Sequence, residues 1–260
     1  TCLMDVVAGV AALRPENGPL FAVVGVFDGL HLGHLYLLER LKHEAETRSA
    51  RATVITFDHH PDEVINGSAP PLLMDPLERL ERLDAAGVEV TVVQHFDEVI
   101  RHTTYDAFVG MIRAGAGLAG FLMTPDAAFG YERGGTPETL SALGVHDGFE
   151  VVVVPPFTLD GRSVRSSDVR AAITAGDLAT AAALLGRDVT ICAQAAPPVE
   201  GIGTPLAFAW PMALPPDGGY PCRVGADAGI VRIRDGSVRL EGPSVPPGRV
   251  TIELIAEGSR

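Results

Sequence analysis

The chain has 260 residues, 47% of them hydrophobic, with a formal net charge of −13. That is enough apolar chain for one large domain, or a medium one plus a small one, and it excludes wholesale disorder. The acidic balance, with Lys42 as the sole lysine, argues against a nucleic-acid partner, but fields in a cleft need not follow net charge and leave an anionic small molecule open.

The start, "TCLMDVVAGV", lacks the basic region of a secretory signal, and no apolar run reaches the ~18 residues of a membrane helix. Cys2, Cys192 and Cys222 show no C-x-x-C spacing, so neither a zinc framework nor a dithiol is expected, and their low, odd count fits a reducing cytoplasm. Next, "LFAVVGVF" reads as a buried strand. From Leu32 to about Ser49, Leu35, Leu38, Leu41 and Ala45 recur at helical spacing. "ATVITF" is a second strand. "DPLERLERLDAAG" is a helix that opens on Asp75-Pro76 and stops at Gly87. "VEVTVVQHF" is a strand, "YDAFVGMIRAG" a helix, "LAGFLM" and "FEVVVVPPF" strands, and "SSDVRAAITAGDLATAAALLGR" two helices around Gly176.

This alternation predicts an α/β fold: a Rossmann-like parallel sheet with right-handed crossovers and a ligand beyond the carboxyl ends of its strands. After Arg187 the texture turns proline- and glycine-rich with short strands, so we expect a domain over 1–188 and a small, mostly β domain over 189–260. The second holds seven acids and six arginines, which leaves −12 on the first.

The stretch "VVGVFDGLHLGH" carries the chemistry. His31 and His34 stand at i and i+3 where a strand gives way to a helix, and on a helix those positions face the same way. Gly29 and Gly33 leave room beside the backbone, and a helix N-terminus offers free N–H groups and positive partial charge to a phosphate. Two imidazoles there suit the charge that builds up in phosphoryl or nucleotidyl transfer. The competing readings are a cap with two solvated histidines, a metal pair with no third ligand at a recognisable spacing, and a dinucleotide site, for which G-x-G-x-x-G is absent.

"GVFDGLHLGH" resembles the H-x-G-H signature of the nucleotidyltransferases, in particular the adenylyltransferase module of bacterial bifunctional riboflavin kinase/FAD synthetases. "VITFDHHPDEVI" is similar to that family's T-F-D-P-H-P-x-x-V, with His59 in place of a proline. "DAAFGYERGG" resembles D-F-R-F-G-x-x-R-x-G, and "VRSSDVRAAITAGDLATAAALLGR" its S-S-T-x-I-R helix and sequel. The resemblance runs from about residue 18 to 188. It implies transfer of AMP from ATP to FMN, with Mg2+ carried on the triphosphate and no metal held by the protein's own residues. It further implies that His31 and His34 bind ATP phosphates and stabilise the transition state. Gly25, Val26, Phe27, Asp28 and Gly33 would lie along the nucleotide, and Ser166, Ser167 and Arg170 would hold the triphosphate from a helix start. Asp58, His60, Pro61, Asp126 and Phe129 would shape the flavin side. For Ser166 the plainer alternative is a helix cap, and for Phe129 a place in the core.

Departures from the family pattern matter too. Thr124, Ala127 and Ala128 replace a glycine, an aromatic ring and an arginine beside the expected flavin site, and Asp168 adds a carboxylate near the triphosphate. In the tail, "GIGTPLAF" stands where the family's kinase has G-x-P-T-A-N, so residues 189–260 read as a degenerate kinase module, short for that barrel, with a structural role as lid or packing partner. The alternatives kept beside FMN adenylyl transfer are another phosphorylated acceptor and a non-catalytic nucleotide- or flavin-binding paralogue.

Overall fold

The structure is a computed structural model, and it describes residues 4–199, 201 and 203–256. Cys2 and Glu200 lie outside the described residues. By contacts the chain forms two compact units: Thr1–Phe27, Gly33–Pro70 and Leu80–Thr158 make the first, and Asp28–Leu32, Pro71–Arg79 and Leu159–Arg260 the second.

The first unit is built on six parallel strands in the order β1-β4-β3-β2-β5-β6: β1 (Asp5–Val7), β2 (Leu20–Val24), β3 (Arg51–Phe57), β4 (Val90–Gln94), β5 (Leu118–Met123) and β6 (Glu150–Val153). Leu20 to Val23 of β2 are all buried, because central strands of a parallel sheet are covered on both faces and lose the polar alternation. The helices are α1 (Leu32–Thr47), α2 (Pro61–Asn66), α3 (Pro76–Ala85), α4 (Glu98–Arg101), α5 (Tyr105–Gly115) and α6 (Pro137–Asp147). From β2 the sheet grows one way through β3 and β4 and the other way through β5 and β6. The order therefore reverses between β2 and β5, where such sheets open a crevice.

β1, α2 and α6 are among the elements that escape the periodicity reading. β1 has only three residues. α2 and α6 have recognisable boundaries instead: each has proline in its first turn and a left-handed glycine after its end, Gly67 and Gly148. Thr136 adds a capping box at the start of α6.

The hairpin β7 (Thr158–Leu159) and β8 (Arg162–Ser163) leads to α7 (Ser166–Thr174) and α8 (Leu178–Leu185). Six antiparallel strands of the second unit then close a barrel in the order β10-β13-β12-β11-β14-β9. They are β9 (Val189–Ala195), β10 (Thr204–Ala207), β11 (Gly218–Val224), β12 (Asp227–Arg234), β13 (Ser237–Glu241) and β14 (Gly248–Leu254). Val189, Ile191, Ala193 and Ala195 alternate inward on β9, as do Val250, Ile252 and Leu254 on β14, and they fill the barrel with Val231 and Leu240. The tail is thus not too short for a barrel: its strands have four to eight residues, two-residue turns join β11 to β12 and β12 to β13, and closure leaves no open sheet edge. Among the described residues no helix is long and apolar enough to cross a membrane.

Candidate active site

In the first unit, the chain beyond β2 stays tied to its neighbour strand. Gly25 N–H donates to the Ile55 carbonyl at 3.0 Å, and Thr56 Oγ1 donates to the Val26 carbonyl at 2.9 Å. Phe27 then takes a φ of 53°, in the left-handed region that costs a bulky side chain energy. Its buried ring folds back toward Gly25, where an added Cβ would stand 3.2 Å from it, and meets the His34 imidazole at 4.9 Å between centroids.

Two cavities open at the carboxyl ends of the strands. The smaller, about 120 Å³, lies at the order reversal and is lined by Gly25, Phe27, His34, Thr124, Ala128 and Phe129, among others. Ala127 and Ala128 are the small residues that keep this space free of a ring and a guanidinium. The larger, about 400 Å³, is lined by Phe57, Phe96, Phe108, Phe129 and Tyr131 with Arg101. Only the larger falls in the range of small-molecule pockets, and its aromatic lining with a basic group suits a flat ring bearing an acidic substituent.

Phe129 lines both cavities and also packs on Phe108 and Phe121, at 5.8 and 5.5 Å, so core and pocket wall are one role here. The other four residues assigned to the flavin side line neither cavity. His60 caps α2, its Nδ1 accepting from the Asp62 amide at 3.2 Å, and Pro61 takes the first helical position. Asp126 is exposed and accepts from Thr124 Oγ1 at 2.9 Å. Asp58 is bound to His59 and His95.

In the second unit, Asp28 anchors the turn that carries His31. Its carboxylate, 4% exposed, accepts from the amides of Leu73 (2.9 Å) and Met74 (3.3 Å) and pairs with Arg170 Nη2 at 2.9 Å. Burial pushes the carboxyl up, against the pull of these donors. Its backbone carbonyl accepts from Ser166 Oγ at 2.9 Å, and Arg170 Nε donates to the Pro71 carbonyl at 2.7 Å. Ser166 therefore does not cap α7: Arg165 holds the N-cap position, and the Ser166 hydroxyl is spent on Asp28. Ser167 and Asp168 are exposed in the first turn of α7. Gly29 has a φ of 85°, and a Cβ there would meet Leu73 Cδ1 at 2.8 Å, so its smallness serves packing and not open space. Arg187 Nη2 donates to the Gly29 carbonyl at 2.9 Å.

His31 is 4% exposed, which removes the reading of two solvated capping histidines. Its pKa is lowered to about 4, first by burial and then by the charge of Arg187, with Asp168 opposing. The imidazole is therefore neutral near pH 7 and offers a hydrogen bond without a proton's charge. Folding favours the neutral form, so its contribution to stability is complete above pH 6.5, falls as the pH drops toward 4, and is lost below that. The loss amounts to about 3 kcal/mol. Denaturant unfolding across this window should show a steeper acid decline for the wild type than for His31→Gln; equal declines would mean that His31 protonates freely in the fold.

Among the described residues, the two thiols are not candidates for catalysis. Burial pushes Cys192 up to about 11 and also raises Cys222. In the barrel, Thr204 is 2% exposed at the start of β10 and pairs with Leu240 of β13.

Comparison with known proteins bears on the same segments. The FAD synthetase family profile matches residues 13–168. The chain is 31% identical over 192 residues to a bifunctional riboflavin kinase/FMN adenylyltransferase of Pseudomonas fluorescens, covering 74% of this chain and 62% of that one. It is 32% identical over 170 residues to the protein of that name from Haemophilus influenzae, covering 65% and 55%. The chain thus spans little more than half the length of these curated relatives. A crystal structure of a macrolide-efflux protein from Streptococcus pneumoniae shares the fold, with a TM-score of 0.80 at 20% identity over 100% of this chain and 93% of that one. The matched region holds the H-x-G-H segment and the Asp28 turn and ends in the first turn of α7, and the chain belongs to the FAD synthetase family, a family of nucleotidyltransferases.

Proposed function

We propose that the protein is an FMN adenylyltransferase: an FMN phosphate oxygen bonds to the α-phosphorus of ATP, the bond to the bridging oxygen breaks, and pyrophosphate leaves with FAD as product. The observation that carries this reading is the placement of His31 and His34 directly after β2, one buried and neutral, the other against Phe27, in a family of this chemistry. Imidazoles donate to non-bridging phosphate oxygens as charge shifts toward the leaving group. The ~400 Å³ aromatic cavity is the proposed flavin site. Mg2+ enters on the triphosphate; the Asp168 carboxylate and Ser167 hydroxyl are hard oxygen donors that fit a largely hydrated ion of that kind. We take residues 1–188 as the transferase module and 189–260 as the kinase-like module. Incubation with ATP, Mg2+ and FMN should give FAD and pyrophosphate in equal amounts; pyrophosphate with a different phosphorylated acceptor but not with FMN would favour the second reading, which the small side chains of Ala127 and Ala128 motivate.

No riboflavin kinase activity is expected from the barrel. Phosphoryl transfer needs a metal held across the phosphates and donors aimed at the transferred group. At the turn where the relatives' motif would fall, Thr204 is buried in the barrel wall, and Pro205, Leu206, Ala207 and Phe208 offer no side-chain ligand. Riboflavin, ATP and Mg2+ should yield no FMN by chromatography. Steady FMN formation that persists in His31→Ala would overturn this.

A further inference from the structure

The geometry points to a second, distinct site in the first unit: Asp58, His59 and His95 form a three-ligand site for a zinc-class divalent ion. The backbone brings them together. β3 and β4 run parallel, with Phe57 opposite Gln94 as their last registered pair, so the next residues, Asp58 and His95, leave the sheet side by side. Asp58 N–H donates to the Gln94 carbonyl at 3.1 Å, which fixes the chain at this point. His59 follows directly.

Asp58 is the centre of the cluster. His95 Nδ1 lies 2.6 Å from Asp58 Oδ2, and His59 Nδ1 lies 3.1 Å from Asp58 Oδ1. One ligand atom from each of the three residues lies within 4.8 Å of the other two. Ligands of a tetrahedral zinc ion stand about 3.3 Å apart, so closing the cluster on an ion needs shifts of the order of an ångström, within reach of side chains that are partly exposed. The carboxylate is also held by amides: Oδ1 accepts from the N–H groups of His59 (2.8 Å) and Phe96 (3.2 Å), the kind of outer support that orients a metal ligand.

The donor set selects the ion. Two imidazoles and one carboxylate suit Zn2+, Co2+ or Ni2+, whereas Mg2+ and Ca2+ prefer oxygen alone. Three protein ligands leave a fourth position for water or a ligand, as in zinc sites that do chemistry or sense a ligand and unlike closed structural sites. The departure of this chain from its family's pattern supplies a ligand here: His59 stands in place of a proline, which could not coordinate. Phe57 and Phe96, the chain neighbours of Asp58 and His95, line the ~400 Å³ cavity and meet edge to face at 5.3 Å.

The test is equilibrium dialysis of the untagged full chain against Zn2+ buffered by a weak chelator. Wild type is expected to retain one equivalent. His59→Gln and His95→Gln should each weaken binding at least ~100-fold, beyond the usual loss for an outer-shell partner. His146→Gln, which removes an exposed imidazole beside Asp147, should change nothing. Less than one equivalent on wild type, or undiminished binding by folded His59→Gln and His95→Gln, would overturn the site. Should a variant fail to fold, Co2+ titration of wild type decides: paramagnetic broadening of the His59 and His95 ring protons must precede that of the other histidines, and the reverse order rejects the proposal. None of these readouts depends on FAD formation, so the site can fail while the transferase reading stands.

Discussion

Replacing His31 or His34 with alanine is expected to cut FAD formation at least ~100-fold, the loss seen when one transition-state donor is removed. For His31 the reason lies in its surroundings. The side chain is 4% exposed and its pKa is lowered to about 4, so it is a neutral donor already stripped of water before any substrate arrives. A donor of that kind needs no reorganisation when charge develops on a phosphate oxygen, and a water taking its place would. His34 is placed by a different contact, the Phe27 ring at 4.9 Å, on a residue held in the left-handed region. Both losses should fall on kcat and on kcat/KM alike, with KM for ATP little changed, because the interaction strengthens only in the transition state. Pyrophosphate release measured against ATP concentration checks this. Turnover near that of the wild type in either folded variant would remove the histidine from the chemistry.

The strands and long helices were legible because their signals are local. The run Leu20–Val24 is apolar without alternation, and the leucines of α1 repeat at helical spacing. β1 was not legible, since Asp5–Val7 is a strand only because β4 pairs with it. α6 could have been found from Thr136-Pro137 and Gly148, boundary signals that hydrophobic spacing does not weigh. The site was half legible. The histidine pair is contiguous in sequence, so its pattern survives in one dimension. The grouping of His95 with Asp58 and His59 depends on strand register, 37 residues apart, and no spacing rule reports that. For Ser166, which the resemblance places at the triphosphate with a helix cap as the plainer alternative, the cap does not form: a carbonyl 138 residues away in sequence claims its hydroxyl, and no local pattern reports that.

Arg170→Ala is expected to destabilise the protein by about 3–5 kcal/mol, the cost of leaving a buried carboxylate without its partner. The resemblance alone would make Arg170 a triphosphate ligand and predict a rise in KM for ATP. The contacts of its side chain point elsewhere. Nη2 pairs with Asp28 Oδ2 at 2.9 Å, and Nε donates to the Pro71 carbonyl at 2.7 Å. Asp28 in turn holds Leu73 and Met74 through their amides and anchors a turn in which Leu30 has a φ of 39°. Such a conformation costs of order 1–3 kcal/mol and persists only where the surroundings over-determine it. Without the guanidinium, the carboxylate keeps its amide donors but loses the only cation paired with it among the described residues. Asp28→Asn should also destabilise, and the double variant should lose less than the sum of the two, because the second change removes a group the first had already stranded. Urea unfolding of the four proteins gives both numbers. A loss below about 1 kcal/mol for Arg170→Ala, together with a raised KM for ATP, would return Arg170 to the phosphate. The expected result places it one step back: a positioning residue that holds the Asp28 turn, and through it His31.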